Sequence, residues 1–168
     1  MLLTTMYLSL LDREVERTRR ALLQVPAGHD DWTPHPKSMA LGRLAGLVAS
    51  MPSWVALMIT ADELDVAPTT PEHEPAAMHS QPTLLAALDQ AAASARQAFT
   101  GTTDAFLETS WTMKARGQVV SVASRADMIS DTFAHLAHHR GQLTVYLRLL
   151  EATVPALYGP SADDPRFT

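Results

Sequence analysis

The sequence predicts an all-α protein: one helical bundle domain that spans residues 1–168. Three observations predict it. Several long segments carry apolar residues at three- and four-residue steps, breaks rich in proline or glycine separate them, and the composition is globular, with 46% hydrophobic and 18% charged residues. A chain of this length is the size of one ordinary domain with one core. A four-helix bundle with irregular connections is the most economical arrangement of such segments.

The composition excludes several kinds of chemistry and partner. The chain has no cysteine, so disulfides, thiolate nucleophiles and cysteine metal ligands are excluded. The formal charge is −5 and the basic residues are scattered, which argues against a nucleic acid partner. The apolar start has no basic flank, and no uncharged run approaches the ~20 residues of a membrane-spanning helix. We therefore expect a cytoplasmic protein without a membrane partner.

The first predicted helix runs from Leu3 to Val25, because apolar residues recur there at helical spacing between charged ones. Pro26 and Gly28 then end it. The polar, proline-containing stretch that follows is expected to be a connection.

A second helix is predicted from the N-cap residue Ser38 to Met51. Pro52 follows it and has no backbone N–H to donate, so we expect a kink or a fresh helical start there. The apolar pattern then resumes until Asp62.

The middle of the chain combines a clear helix with two irregular stretches. Residues 64–82 contain prolines and no apolar periodicity, which predicts a surface loop. The alanine- and leucine-rich segment from Thr83 to Phe99 predicts a third helix, ended by Gly101. Residues 102–123 are compatible with a short helix, an extended excursion, or both.

The last predicted helix is the longest one and runs from Ser124 to about Leu150. Ser124 followed by Asp127 has the spacing of a capping box, which satisfies backbone donors in the first helical turn. The C-terminal tail beyond this helix contains three prolines and is expected to be irregular.

The candidate site is a histidine pair on this last helix. His135 and His139 are separated by four residues, so their imidazoles lie on successive turns, and both are expected to face inward and to converge on one ion. His138 points nearly opposite to the core and is expected to be exposed or in an interface. Asp131 lies one turn before His135 and is a candidate to orient it or to bind the metal directly. The alternative is that both histidines are core-edge residues hydrogen-bonded to their neighbours.

The segment around these histidines resembles the last helix of the DinB-like (DinB/YfiT) family: His138-His-Arg-Gly-Gln-Leu143 followed by Tyr146-Leu-Arg148. Other segments across nearly the whole chain are similar to the same family. They are Trp32-Thr-Pro-His-Pro-Lys-Ser38, Leu44-Ala-Gly46, Pro52-Ser-Trp54 and Val154-Pro-Ala-Leu-Tyr-Gly-Pro-Ser-Ala-Asp163.

This resemblance implies an up-down-down-up four-helix bundle that is often dimeric and holds one divalent metal, such as Zn or Ni, between its helices. Three histidines bind the metal in the family, and two of them correspond to His135 and His139. The third normally lies in the second helix, where this chain has Leu47 instead. Leucine has no lone pair, so metal affinity is expected to fall steeply.

Three outcomes are open for this depleted site: two histidines completed by water or a carboxylate, completion by another histidine, or a vestigial pocket. His29, His35, His73 and His79 are the other histidines, and His35 has the best claim because it precedes the second helix.

The family also implies a choice between two kinds of function. Members with assigned activities include metal-dependent transferases that use low-molecular-weight thiols, and some members are described as metal-dependent hydrolases, which implies Lewis-acid chemistry on a small-molecule substrate. The alternative, favoured by Leu47, is a non-catalytic dimeric bundle that binds a small ligand or a partner.

A homodimer is also predicted from the residues themselves. Gly141, Val145 and Leu149 lie on the outer side of the last helix, opposite its core face. A helix that is apolar on both faces is usually covered twice, and a mid-helix glycine suggests close approach of another backbone.

Overall fold

The structure is a computed structural model that describes residues 2–67 and 80–166. The chain is mainly helical in these ranges. In chain order the elements are α1 (Leu3–Leu22), α2 (Leu41–Ser50), α3 (Ser53–Thr60), β1 (Glu63–Asp65), α4 (Gln81–Thr100), α5 (Asp104–Leu107), β2 (Ser110–Ala115), β3 (Gln118–Ser124) and α6 (Arg125–Leu149).

One apolar core lies between the long helices. Helices α4 and α6 each pack against α1, α2 and α3. The amphipathic spacing seen in the sequence turns apolar side chains inward from every one of them. Fully buried leucines come from four different helices: Leu11, Leu44, Leu88 and Leu136. The last helix therefore sits against three others, which fixes the direction in which its side chains point.

The expectation of a purely helical protein is wrong, because the chain also forms a three-stranded sheet. The strand order is β1-β2-β3, with β1 parallel to β2 and β2 antiparallel to β3. A two-residue turn joins β2 to β3, and both Arg116 and Gly117 have positive φ angles (52° and 76°), as in the tight turns that favour hairpins. Residues 102–123 were compatible with a short helix, an extended excursion, or both, and both occur: the short helix α5 precedes the β2–β3 hairpin.

Strand β1 lies partly in the stretch that was expected to be a loop from residue 64 to residue 82. Leu64 pairs with Met113, and Asp65 pairs with Lys114. The strand forms only because β2 supplies hydrogen-bonding partners from a distant part of the chain. The middle of that expected loop lies outside the described residues.

Two predicted helix boundaries in the N-terminal half are wrong: the end of the first helix and the start of the second. The first helix ends at Leu22 rather than Val25. Ser38 is not a helix cap, because α2 begins after Ala40 and the backbone N–H of Ser38 instead donates to the carbonyl of His35 in a turn. The side chain of Ala40 offers no cap hydrogen bond, so packing against the core determines where this helix begins.

Two other local predictions are confirmed. Pro52 separates α2 from α3, and the two helices are bent by 48° there. Ser124 caps α6: its Oγ accepts a hydrogen bond from the backbone N–H of Asp127 at 3.0 Å and donates to that carboxylate at 2.8 Å.

Among the described residues, no single helix has the length and apolar content needed to cross a bilayer; the bent α2–α3 pair meets those two criteria only when its helices are taken together.

Candidate functional site

His135 and His139 bring their imidazole rings together on one side of α6. Their Nε2 atoms lie 2.8 Å apart, and the ring centroids are 4.6 Å apart. The convergence follows from the helix itself, since residues four apart stand one above the other. The Nε2 atoms of the two rings are thus directed toward the same point in space.

Gln142 fixes the orientation of one of these rings. Its Oε1 lies 2.8 Å from Nδ1 of His139. An amide oxygen can only accept, so Nδ1 of His139 carries the proton and its Nε2 presents a lone pair. The Nε2–H of His135 then donates to that lone pair. Sequence reasoning missed Gln142, although its position one turn beyond His139 was a signal that could have found it.

His135 has a lowered pKa. Partial burial of the ring is the largest cause, and repulsion from the neighbouring imidazoles of His139 and His138 adds to it. The His138 ring lies edge-on to that of His139, with centroids 5.1 Å apart. The lowered pKa favours the neutral form of His135, which is the form that binds a metal ion.

The pair lies at the edge of the bundle rather than inside it, which corrects the expectation that both rings face inward. His135 is exposed and His139 is half-buried. On the α3 side, the indole of Trp54 lies 5.6 Å from the His135 ring, measured between centroids, at an interplanar angle of 59°. The site is therefore walled by an aromatic ring on one side and accessible on the other.

No third His, Cys, Asp or Glu side chain joins the two histidines in the part of the chain that is described. Within residues 2–67 and 80–166, no group of three His, Cys, Asp or Glu side chains is arranged to hold a metal ion. Leu47, at the position where the family resemblance implies a ligand, is half-buried and packs against the apolar core. Asp131 is exposed and is not a hydrogen-bonding partner of His135.

The other histidines do not complete the site where they can be placed. The Nδ1 atom of His35 accepts a hydrogen bond from the backbone N–H of Lys37 at 3.1 Å, so its ring serves a local turn. His29 is exposed in the same connection. His73 and His79 lie outside the described residues.

The geometry of the pair fits two of the ligands of a metal ion. Two imidazole nitrogens at the usual Zn–N distance in a tetrahedral site are about 3.3 Å apart, so the rings need to separate by only about 0.5 Å. A catalytic zinc usually has three protein ligands and one open position. The residues present thus fit a two-histidine site with open positions, not the full three-histidine site.

A buried polar cluster next to the pair holds α6 in place. Arg140 donates to Glu14 Oε2 at 2.5 Å and to Thr18 Oγ1 at 2.9 Å, and both partners are on α1. It also donates to the hydroxyl of Tyr158 in the C-terminal tail. Because Arg140 directly follows His139, this cluster fixes the rotation of the helix that carries the pair.

Glu14 has a lowered pKa in this cluster. Burial acts to raise it, but the hydrogen bonds and charge of Arg140, together with hydrogen bonds from Arg17 and Tyr158, outweigh that effect. Sequence reasoning missed the cluster. The signal that could have found it is a charged residue on the core face of the last predicted helix, because Arg140 lies four residues after the buried Leu136.

Comparison with known proteins finds a matching family model and similar solved structures. The sequence model described as the DinB family matches residues 3–166. The crystal structure of a DinB-like protein from Bacillus cereus has a TM-score of 0.71 at 20% identity, covering 90% of this chain and 95% of that one. A DinB-like protein (YjoA) from Bacillus subtilis has a TM-score of 0.68 at 16% identity, covering 96% and 99%. At such identities the likeness shows the fold alone. No curated protein matches the chain.

Proposed function

Because the chain belongs to the DinB family, we propose that it is a metal-dependent enzyme of the thiol-dependent transferase or hydrolase type, with His135 and His139 as ligands of a divalent metal such as Zn or Ni. The observation that carries this proposal is the 2.8 Å approach of the two Nε2 atoms. Family membership also supports the finer fold proposal, an up-down-down-up arrangement of four helical segments formed by α1, α2 with α3, α4 and α6.

Each residue of the pair has a role that follows from its contacts. His139 presents its Nε2 lone pair because Gln142 holds the Nδ1 proton. His135 binds through Nε2 once its proton moves to Nδ1; its lowered pKa keeps the ring neutral, and its exposure leaves the ring accessible. The Trp54 ring forms one wall beside His135 and limits the directions from which a small-molecule substrate approaches.

A divalent cation bound at this position would supply Lewis-acid chemistry, by polarising a substrate carbonyl or by lowering the pKa of a bound water or thiol. The exposed side of His135 leaves room for such a molecule. Leu47 removes one protein ligand, so the proposed site binds metal more weakly than a three-histidine site and has more open positions.

Metal analysis of protein prepared without a histidine tag tests the proposal. The protein is loaded with Zn or Ni at micromolar concentration, desalted and analysed by elemental mass spectrometry. We expect near-stoichiometric metal in the natural chain and in the control variant His138→Ala, and loss of metal in His135→Ala and His139→Ala. Absence of metal from the natural chain after loading would contradict the proposal.

The second candidate function is a non-catalytic homodimeric bundle in which the metal site is vestigial. Two observations favour it: the apolar side chain of Leu47, and the outer face of α6, where Val145 and Leu149 are 57% and 56% exposed. A Cβ atom built on Gly141 meets no atom within 4 Å in the described chain, so the space beside it is open to a partner helix. Failure of metal loading combined with a dimeric mass would favour this candidate.

A further inference from the structure

A groove of about 720 Å³ lies between α3, α4 and α5, away from the histidine pair. None of its lining residues belongs to α6. Small-molecule sites usually have volumes of roughly 300–1,000 Å³. The groove therefore has room for one ligand of ordinary size.

Short side chains create this groove. Ser94, Ala98 and Gly101 lie at i, i+4 and i+7 along α4 and its C-cap, so they share one face of the helix. Ala56 of α3 faces the same space. Helices that pack closely normally fill the space between them with interlocking side chains. Small residues at all four positions leave this part of the α3–α4 contact unfilled.

The lining is uncharged. Among the described residues it contains no Asp, Glu, Lys or Arg; Ile59 and Phe106 supply apolar surface, and Thr60 and Gln97 supply a hydroxyl and an amide. A buried cation contacts this wall: the guanidinium of Arg125 lies 4.4 Å from the centroid of the Phe106 ring.

Arg125 does not make the groove an anion site, because each of its three guanidinium nitrogens already has a hydrogen-bond partner. Its Nη1 donates to the carbonyls of Met58 and Ala61 at 2.5 and 2.6 Å. Its Nη2 pairs with Asp62, and its Nε donates to Thr109. A charged ligand would thus lose its hydration in the groove without gaining a counter-charge.

From the size, the uncharged lining, and the hydroxyl of Thr60 and the amide of Gln97 in that lining, we propose that this groove is a second binding site, for one neutral and mainly apolar small molecule that carries a hydrogen-bonding group. The site is independent of the histidine pair and of the function proposed for it.

Two dyes that differ in charge test the inference by fluorescence titration. N-phenyl-1-naphthylamine is neutral, and 8-anilinonaphthalene-1-sulfonate is its anionic counterpart. We expect saturable binding of one neutral dye per chain, with affinity at least about tenfold above that of the sulfonate. Absence of saturable binding, or equal affinity for the two dyes, would overturn the proposal.

Substitutions locate the dye in the groove. Ala98→Leu fills the space and should weaken binding of the neutral dye at least about tenfold. Ala93→Leu, an exposed position on α4 outside the groove, is the matched control and should have no effect. If Ala98→Leu does not fold, Gln97→Trp replaces it as the groove variant, because it blocks the groove from an exposed position. His135→Ala should bind the dye normally. Unchanged binding in a folded groove variant, or loss in His135→Ala, would refute this location.

Discussion

Arg140 and Glu14 form an ion pair inside the protein: Nη2 of Arg140 lies 2.5 Å from Oε2 of Glu14, and the two side chains are 0% and 4% exposed. The pair joins the last helix to the first at the residue that follows His139. Loss of this ion pair is therefore expected to affect the candidate site as well as the stability of the protein.

Removal of Arg140 should destabilise the protein strongly. In Arg140→Met the carboxylate of Glu14 stays buried with fewer partners, and breaking such a pair costs about 3–5 kcal/mol. Urea unfolding followed by circular dichroism measures the change in the free energy of unfolding. The control is Arg96→Ala, which removes an exposed pair with Asp12 and should cost less than about 1 kcal/mol. Equal losses in the two variants would contradict this account.

Stability should fall in acid because of Glu14. Its pKa in the folded protein lies below the ordinary value of 4.5, so its stabilising contribution is complete above that value. The contribution is lost as the pH falls through the folded-state pKa, since the unfolded chain then binds the proton more readily. Urea unfolding at about pH 6 down to about pH 2, a range that brackets the ordinary pKa of a glutamate, measures the slope.

The variant Glu14→Gln isolates this residue. It should be less stable than the natural protein at neutral pH, and its free energy of unfolding should depend less on pH in the acid range. A slope as steep as that of the natural chain would assign the acid sensitivity to other carboxylates.

Restoring the third ligand should strengthen metal binding. Leu47→His adds an imidazole at the position that the family resemblance assigns to a ligand, and a third nitrogen donor should raise zinc affinity at least about tenfold. Competition titration with a chromogenic chelator measures it. The control is His35→Ala, which should leave affinity unchanged because that ring is used in a local turn. Unaltered affinity in Leu47→His would show that the geometry does not support a three-ligand site.

Gln142 should tune metal affinity through His139. Gln142→Leu leaves the Nδ1 proton of His139 without its partner, and such losses lower metal affinity about 10–100-fold. The same chelator titration applies, with Thr144→Ala on the same helix as the control. If Gln142→Leu binds zinc as well as the natural chain, the hydrogen bond does not orient the ligand.

The outer face of α6 should mediate self-association. Val145→Lys places a charge in the proposed dimer interface and should convert a dimer into a monomer, because an unpaired charge is costly to bury. Light scattering at micromolar concentration measures the mass. Val119→Lys, on the exposed strand β3, is the control and should stay dimeric. A monomeric mass for the natural chain would exclude the dimer outright.

Much of the helical part of the fold could be predicted because helix formation is local. Periodic apolar residues located α1, α4 and α6, Pro52 located the break between α2 and α3, and Ser124 located the start of α6. The convergence of His135 on His139 is local in the same way. Gln142 was within reach of the same reasoning, since it lies on the same side of the helix.

Nonlocal partners decided the rest. Strand β1 depends on β2, about fifty residues away, so its three residues look like a loop in the sequence. The exposure of His135 depends on how α6 is rotated against its neighbours. The uncharged groove depends on small residues from α3 and α4 meeting across a helix contact.

The sequence by itself determined which segments are helical and that two imidazoles share one helix face, because both properties follow from spacing within a few turns. Only the tertiary structure decided that a sheet joins the helices, and that Glu14 reaches Arg140 across 126 residues. It also decided that no third His, Cys, Asp or Glu side chain among the described residues meets the histidine pair. Such pairings depend on packing energies summed over the whole core, and no local pattern of residues records them.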